Sequence, residues 1–155
     1  MLQIKNITKR FPGVVALQDI SLVIKQGEVL AVIGENGAGK STLMKILSGV
    51  YSEYEGEIKI DQDVVRFASP REAEEAGIAI IHQELNLIPS LSITENIFLG
   101  RELLTSWGSL DKKRMRRETA GLLAKLRLMV DPDMPIQDLK VGQQQVVEMA
   151  KALLV

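Results

Sequence analysis

An α/β fold with an appended helical lobe is the architecture this sequence predicts, and three observations carry the prediction. The run Glu28-Val29-Leu30-Ala31-Val32-Ile33 is short, apolar and partly β-branched, and a glycine-rich turn and a helical pattern follow it directly. That order is the pattern of a buried parallel strand feeding a helix. β-patterned runs crowd the first half of the chain while capped helical patterns fill the second, which suggests a mixed core and a separate lobe. With 155 residues, 46% of them hydrophobic and 25% charged, the chain has the size and composition of one globular domain.

The elements follow in order. Leu2, Ile4 and Ile7 belong to one strand, and residues 20–24 to a second that ends at the Gln26-Gly27 turn. After the run at 28–33, residues 41–48 read as a helix with Leu43, Met44, Ile46 and Leu47 apolar, closed by Gly49. Residues 56–60 and 64–67 form a hairpin through Asp61-Gln62-Asp63. Ser69, Pro70 and Glu72 are the N-cap, N1 and N3 residues of a helix that Gly77 terminates. Ile78-Ala79-Ile80-Ile81 is a second apolar strand, and Ser92 with Glu95 opens a short helix running to Gly100. A loop over 101–110 holds Trp107, which packs over the lobe or touches a partner. Asp111 caps a long helix with Met115, Leu122, Leu123 and Leu126 at helical spacing. Residues 131–135 break the chain, and an amphipathic helix over 143–155 follows, with Val146, Val147, Ala150, Leu153 and Leu154 apolar.

The chemistry resides in Gly34-Glu35-Asn36-Gly37-Ala38-Gly39-Lys40-Ser41-Thr42, a G-x-x-x-x-G-K-[ST] phosphate-binding loop with a strand pattern before it and a helix pattern after it. Glycines let the main chain turn its N–H groups inward, and the helix start adds its positive dipole end. Lys40 reaches the β- and γ-phosphates, and the Ser41 hydroxyl completes the oxygen shell of Mg²⁺. A chance match to this pattern in a chain of this size is on the order of one in a hundred. The expected ligands are ATP and Mg²⁺.

Other chemistries find no support. The net charge is −1 and there is no cysteine, so neither a nucleic-acid surface nor thiolate chemistry is indicated. The basic cluster Lys112, Lys113, Arg114, Arg116 and Arg117 reads as a solvated helix face. No apolar run approaches the ~18 residues that span a bilayer, and the chain opens in a strand pattern and not in a signal peptide.

Beyond the loop, the chain resembles the nucleotide-binding subunit of ATP-binding-cassette (ABC) transporters, and especially those of ribose, xylose and galactose importers. The telling stretches are Phe11-Pro12-Gly13-Val14-Val15-Ala16-Leu17, the phosphate loop extended through Leu43 to Tyr51, and Ile81-His82-Gln83-Glu84-Leu85-Asn86-Leu87-Ile88-Pro89 with Glu95-Asn96-Ile97-Phe98-Leu99-Gly100-Arg101-Glu102. The resemblance implies a P-loop NTPase (RecA-like) core with an antiparallel β subdomain over 1–83 and a helical subdomain over 84–155. It makes Phe11 the ring that stacks on adenine, a contact of about 1 kcal/mol. It makes Gln83 the residue contacting Mg²⁺ or attacking water, so that Lys40 and Gln83 are the catalytic candidates and Ser41 and Gln83 the metal ligands. His82 does not occupy the family's switch position.

Leu139-Lys140-Val141-Gly142-Gln143 stands where the family has its signature, Leu-Ser-Val-Gly-Gln. Lys140, Gly142 and Gln143 are thereby expected to hold the γ-phosphate of ATP bound on a second, head-to-tail ABC domain. Lysine in place of serine attracts phosphate but is bulkier, which predicts weakened closure of that pair. Other implied partners are a membrane permease and, through it, a periplasmic sugar-binding protein; no nucleic acid is implied. The implied location is peripheral, on the cytoplasmic face of the membrane. The family's next segment, an apolar strand ending in Asp-Glu that supplies Mg²⁺ support and the general base, has no match here. The chain is therefore read as a fragment of a longer ATPase subunit, with an exposed apolar strand edge prone to pairing. The alternatives are a nucleotide-binding module without turnover and a non-transport ABC protein.

Overall fold

The computed structural model describes residues 1–81 and 84–154, and these form two compact units, 1–78 and 79–155.

The first unit is built on an antiparallel sheet of order β2-β1-β3-β4. Its strands are β1 (Leu2–Phe11), β2 (Val14–Ile24), β3 (Glu55–Ile60) and β4 (Asp63–Val65). Pro12 and Gly13 make the first turn, so Phe11 faces Val14 across it and Lys9 faces Leu17. The second strand is longer than the run at 20–24 suggested, because the residues after the turn pair with β1 as well. The hairpin of β3 and β4 forms where expected. Helix α1 (Lys40–Leu47) places Leu43, Ile46 and Leu47 against Ile4, Ile7, Leu17 and Ile58. Helix α2 (Pro70–Glu75) starts as its sequence dictates, with Ser69 Oγ accepting from Glu72 N.

The second unit is helical. Helix α3 (Ile93–Phe98) has a full capping box: Ser92 Oγ accepts from Glu95 N at 3.2 Å, and the Glu95 carboxylate accepts from Ser92 N at 2.9 Å. Helix α4 (Lys112–Lys125) is capped by Asp111, which accepts from Arg114 N at 3.0 Å. A 3₁₀ turn (Ile136–Asp138) leads into α5 (Val141–Ala152). Ile93, Ile97, Phe98, Met115, Leu123, Leu139, Val147 and Ala150 make its core. The basic face of α4 is engaged locally: Arg114 pairs with Glu118, and Arg116 with Asp131 and Asp133. Trp107 lies in a tight turn, where Thr105 N donates to Ser109 O at 2.7 Å, and is 94% exposed.

Two predicted strands do not form. Residues 28–33 and 78–81 carry no strand and no ladder partner among the described residues. Val29 and Ile33 are 96% and 91% exposed. A parallel strand is held by neighbours on both sides and by cover on both faces. The described residues supply neither, so an apolar run with the right local pattern stays unpaired.

Candidate functional site: a phosphate cradle and a helix start

The cradle begins with a packing constraint. Gly39, the N-cap of α1, has φ +87°, and a Cβ there would meet Ala16 O at 2.4 Å and Leu17 Cδ2 at 2.7 Å. Only glycine allows the loop to back directly onto β2 while turning into the helix. With glycine as N-cap, α1 has no side-chain cap, so its first-turn amides are left for a ligand. Residues 34–38 are exposed, and Ala38 N donates to Glu35 O at 3.2 Å to form the turn. Lys40 Nζ donates to Gly34 O at 2.6 Å and Glu35 O at 2.8 Å. Its ammonium is thus held over the loop that the sequence assigns to phosphate. Ser41, the next residue, is exposed in the first turn of α1.

These features fit a nucleotide phosphate group and its Mg²⁺. The loop offers uncapped amides, one ammonium and the hydroxyls of Ser41 and Thr42, all on one short stretch. Phe11 belongs to the same unit, at the end of β1, with its ring 5.4 Å from that of Tyr51 in an edge-to-face arrangement. Gln83, like His82, lies outside the described residues.

The signature-like segment lies in the second unit. Leu139 is buried in the core, while Lys140, Val141 and Gly142 are exposed. Lys140 is the N-cap of α5 in an extended conformation, and its side chain caps nothing. The Gln143 carboxamide oxygen is already committed, accepting from Lys140 N at 2.9 Å. Gln143 therefore shapes the helix start with its oxygen and can offer a ligand only its NH₂ group.

Three residues that the sequence reading did not single out organise the lobe around these segments. Asn96, fully buried, accepts from Ile88 N and donates to the carbonyls of Ile88, Leu91 and Ser92. Gln144 donates to Ile136 O and Leu139 O, fixing the turn before α5. Glu148 accepts from Asn86 N at 2.6 Å. A legible signal existed for the first: Asn96 stands between Ile93 and Ile97 on an apolar helix face.

Residues 17–155 match the family model described as ABC transporter. The chain belongs to the ABC transporter family. It is 50% identical over 153 residues to the putative ribose/galactose/methyl galactoside import ATP-binding protein of Pseudomonas fluorescens, covering 99% of this chain and 30% of that protein. It is 52% identical over the same length to the ribose import ATP-binding protein RbsA 2 of Burkholderia ambifaria, again 30% of that protein. The chain thus spans about a third of the length of the curated ABC relatives it matches. Among solved structures it superposes on a nucleotide-free ATP-binding cassette from an ABC transporter with TM-score 0.83 and 26% identity, covering 99% of this chain and 64% of that one. A dimeric cassette in a post-hydrolysis state bound to ADP and phosphate matches with TM-score 0.75 and 30% identity, covering 99% and 69%. No helix among the described residues is long and apolar enough to cross a membrane.

Proposed function

We propose that this chain is the nucleotide-binding portion of the energy-coupling subunit of a monosaccharide importer. The observation that carries the reading is the uncapped start of α1, with Gly39 pressed on β2 and the Lys40 ammonium over the loop. The names of the relatives support the substrate class, and the geometry supports the ligand class.

On this reading the loop amides not bonded within the turn and Lys40 hold the phosphates, Ser41 and Gln83 contact Mg²⁺, and Phe11 stacks on the base. MgATP bound there supplies a transferable γ-phosphoryl group. The chain's own contribution is charge neutralisation and positioning, which dominate catalysis of this transfer. Lys140, Gly142 and Gln143 face a nucleotide held by a second ABC domain. The helical lobe docks on a membrane permease at the cytoplasmic face, and sugar is delivered to that permease by a separate binding protein.

Calorimetric titration of the folded chain with MgATP and MgADP tests the binding step. Uptake that Lys40→Ala abolishes is the expected result, and no uptake at millimolar nucleotide overturns the reading. An ATPase assay on the same material separates an energy-coupling fragment from a module that binds without turnover.

A further inference from the structure

The base site has a second ring and a cation behind it. Lys9 is 92% buried by fractional exposure (8% accessible), and its ammonium donates to Glu53 O. That ammonium stands 5.1 Å from the centroid of Phe11 and 5.6 Å from that of Tyr51. The two rings lie at 70° to one another, so Lys9 occupies the angle between them and covers one face of each. Lys45 approaches Tyr51 as well, at 5.6 Å from its centroid. A base stacking on Phe11 is left only the face turned away from Lys9.

Tyr51 reaches this position through the end of the phosphate-loop helix itself. Gly49 takes φ +72° after the last turn of α1, Gly49 N donates to Ile46 O at 3.1 Å, and Val50 N to Lys45 O at 2.9 Å. This is the paired-bond C-terminal motif that a left-handed glycine permits. Tyr51 N adds a bond to Lys45 O at 3.0 Å. A Cβ on Gly49 would meet Ser69 O at 2.4 Å, so the turn cannot be rebuilt with another residue in place. One helix therefore holds the cradle at its start and delivers Tyr51 to Phe11 at its end.

We infer that Tyr51 and Lys9 are positioning residues of the nucleoside subsite: together they fix which face of Phe11 meets the base and set a positive charge behind that ring. A cation over one face draws electron density from the ring, which favours stacking of an electron-rich purine on the other. This inference rests on the nucleotide reading above and deepens its base-recognition half.

The test compares a ligand with a base to one without. MgATP and magnesium tripolyphosphate are titrated against the full chain and its Tyr51→Leu, Tyr51→Phe and Lys9→Met variants, each first checked for an unchanged circular dichroism spectrum. Tyr51→Leu is expected to weaken MgATP about two- to fivefold and leave tripolyphosphate unchanged. Tyr51→Phe, which keeps the ring, is expected to restore MgATP affinity, and Lys9→Met to weaken MgATP in the same selective way. Equal loss of both ligands, or undiminished MgATP binding in Tyr51→Leu, overturns the inference. Should the unmodified chain bind tripolyphosphate no better than its Lys40→Ala variant, the phosphate cradle itself is refuted, and the subsite with it.

Discussion

Helices α3 and α4 begin closed, α1 begins open, and α5 begins partly open, with only its N-cap amide taken by the Gln143 oxygen. Ser92 with Glu95, and Asp111, each place a side-chain oxygen on a first-turn amide. Gly39 has no side chain to offer, and the side chain of Lys140 makes no cap bond. A first turn has four amides without intrahelical partners, and a cap residue is worth about 1 kcal/mol where it satisfies one of them. The open starts forgo that stabilisation at the two segments carrying the phosphate-loop and signature motifs. The lesson is that the helix starts at the two motif segments do without the side-chain caps their neighbours have, and that packing must replace what the cap omits. At α1 that packing is the contact of Gly39 with β2; at α5 it is the buried Leu139 and the Gln144 bonds to Ile136 and Leu139.

Several substitutions break or sharpen this contrast. Gly39→Ala forces a side chain into Ala16 O and a left-handed residue out of its preferred conformation. A loss of about 3 kcal/mol in urea unfolding is expected, together with loss of nucleotide binding. Asn96→Ala takes the acceptor from the Ile88 amide at the loop before α3, while the carbonyls of Ile88, Leu91 and Ser92 keep their backbone donors, and about 1–2 kcal/mol is expected to go in the same measurement. Ser92→Ala opens a closed start and should lower stability by about 1 kcal/mol while leaving nucleotide affinity unchanged. The converse change, Lys140→Ser, closes an open start. It should add about 0.5–1 kcal/mol in thermal melts, and ATP-dependent dimerisation by light scattering should rise if the lysine hinders closure.

The smallest effect is in pH. Hydrogen bonds from the Ser92 amide and then its hydroxyl hold the Glu95 carboxyl below its ordinary value. A depressed carboxyl contributes stability above its unfolded pKa and loses it as pH falls through the folded one. Melting temperatures on the acid side of neutrality should therefore fall less steeply for Glu95→Gln than for the unchanged chain. The two curves should converge once the carboxyl is protonated, with only a modest gap because the group is exposed.

The closed starts were the most legible part of the sequence. Ser69 to Glu72 and Ser92 to Glu95 are local patterns, and a cap is satisfied within one turn of itself. The phosphate loop was legible for the same reason, down to Gly49 as the residue that ends its helix. Residues 28–33 and 78–81 were not, because an apolar run carries no record of whether a neighbouring strand will be present to pair with it. The commitment of the Gln143 oxygen to Lys140 shows only in coordinates. The meeting of Lys9, Phe11, Lys45 and Tyr51 was hidden for a deeper reason. It requires the register of β1 against β2 and the turn after α1 at once, and neither is written in any single stretch.

Trp107, at the tip of its tight turn, is the chain's one indole. The ring already meets water in the folded chain, so its ultraviolet emission will change little on melting, which must be followed by other probes. The same fluorophore is a ready-made beacon for whatever comes to rest on the lobe. A blue shift on mixing would mark desolvation at that single spot, with no label attached.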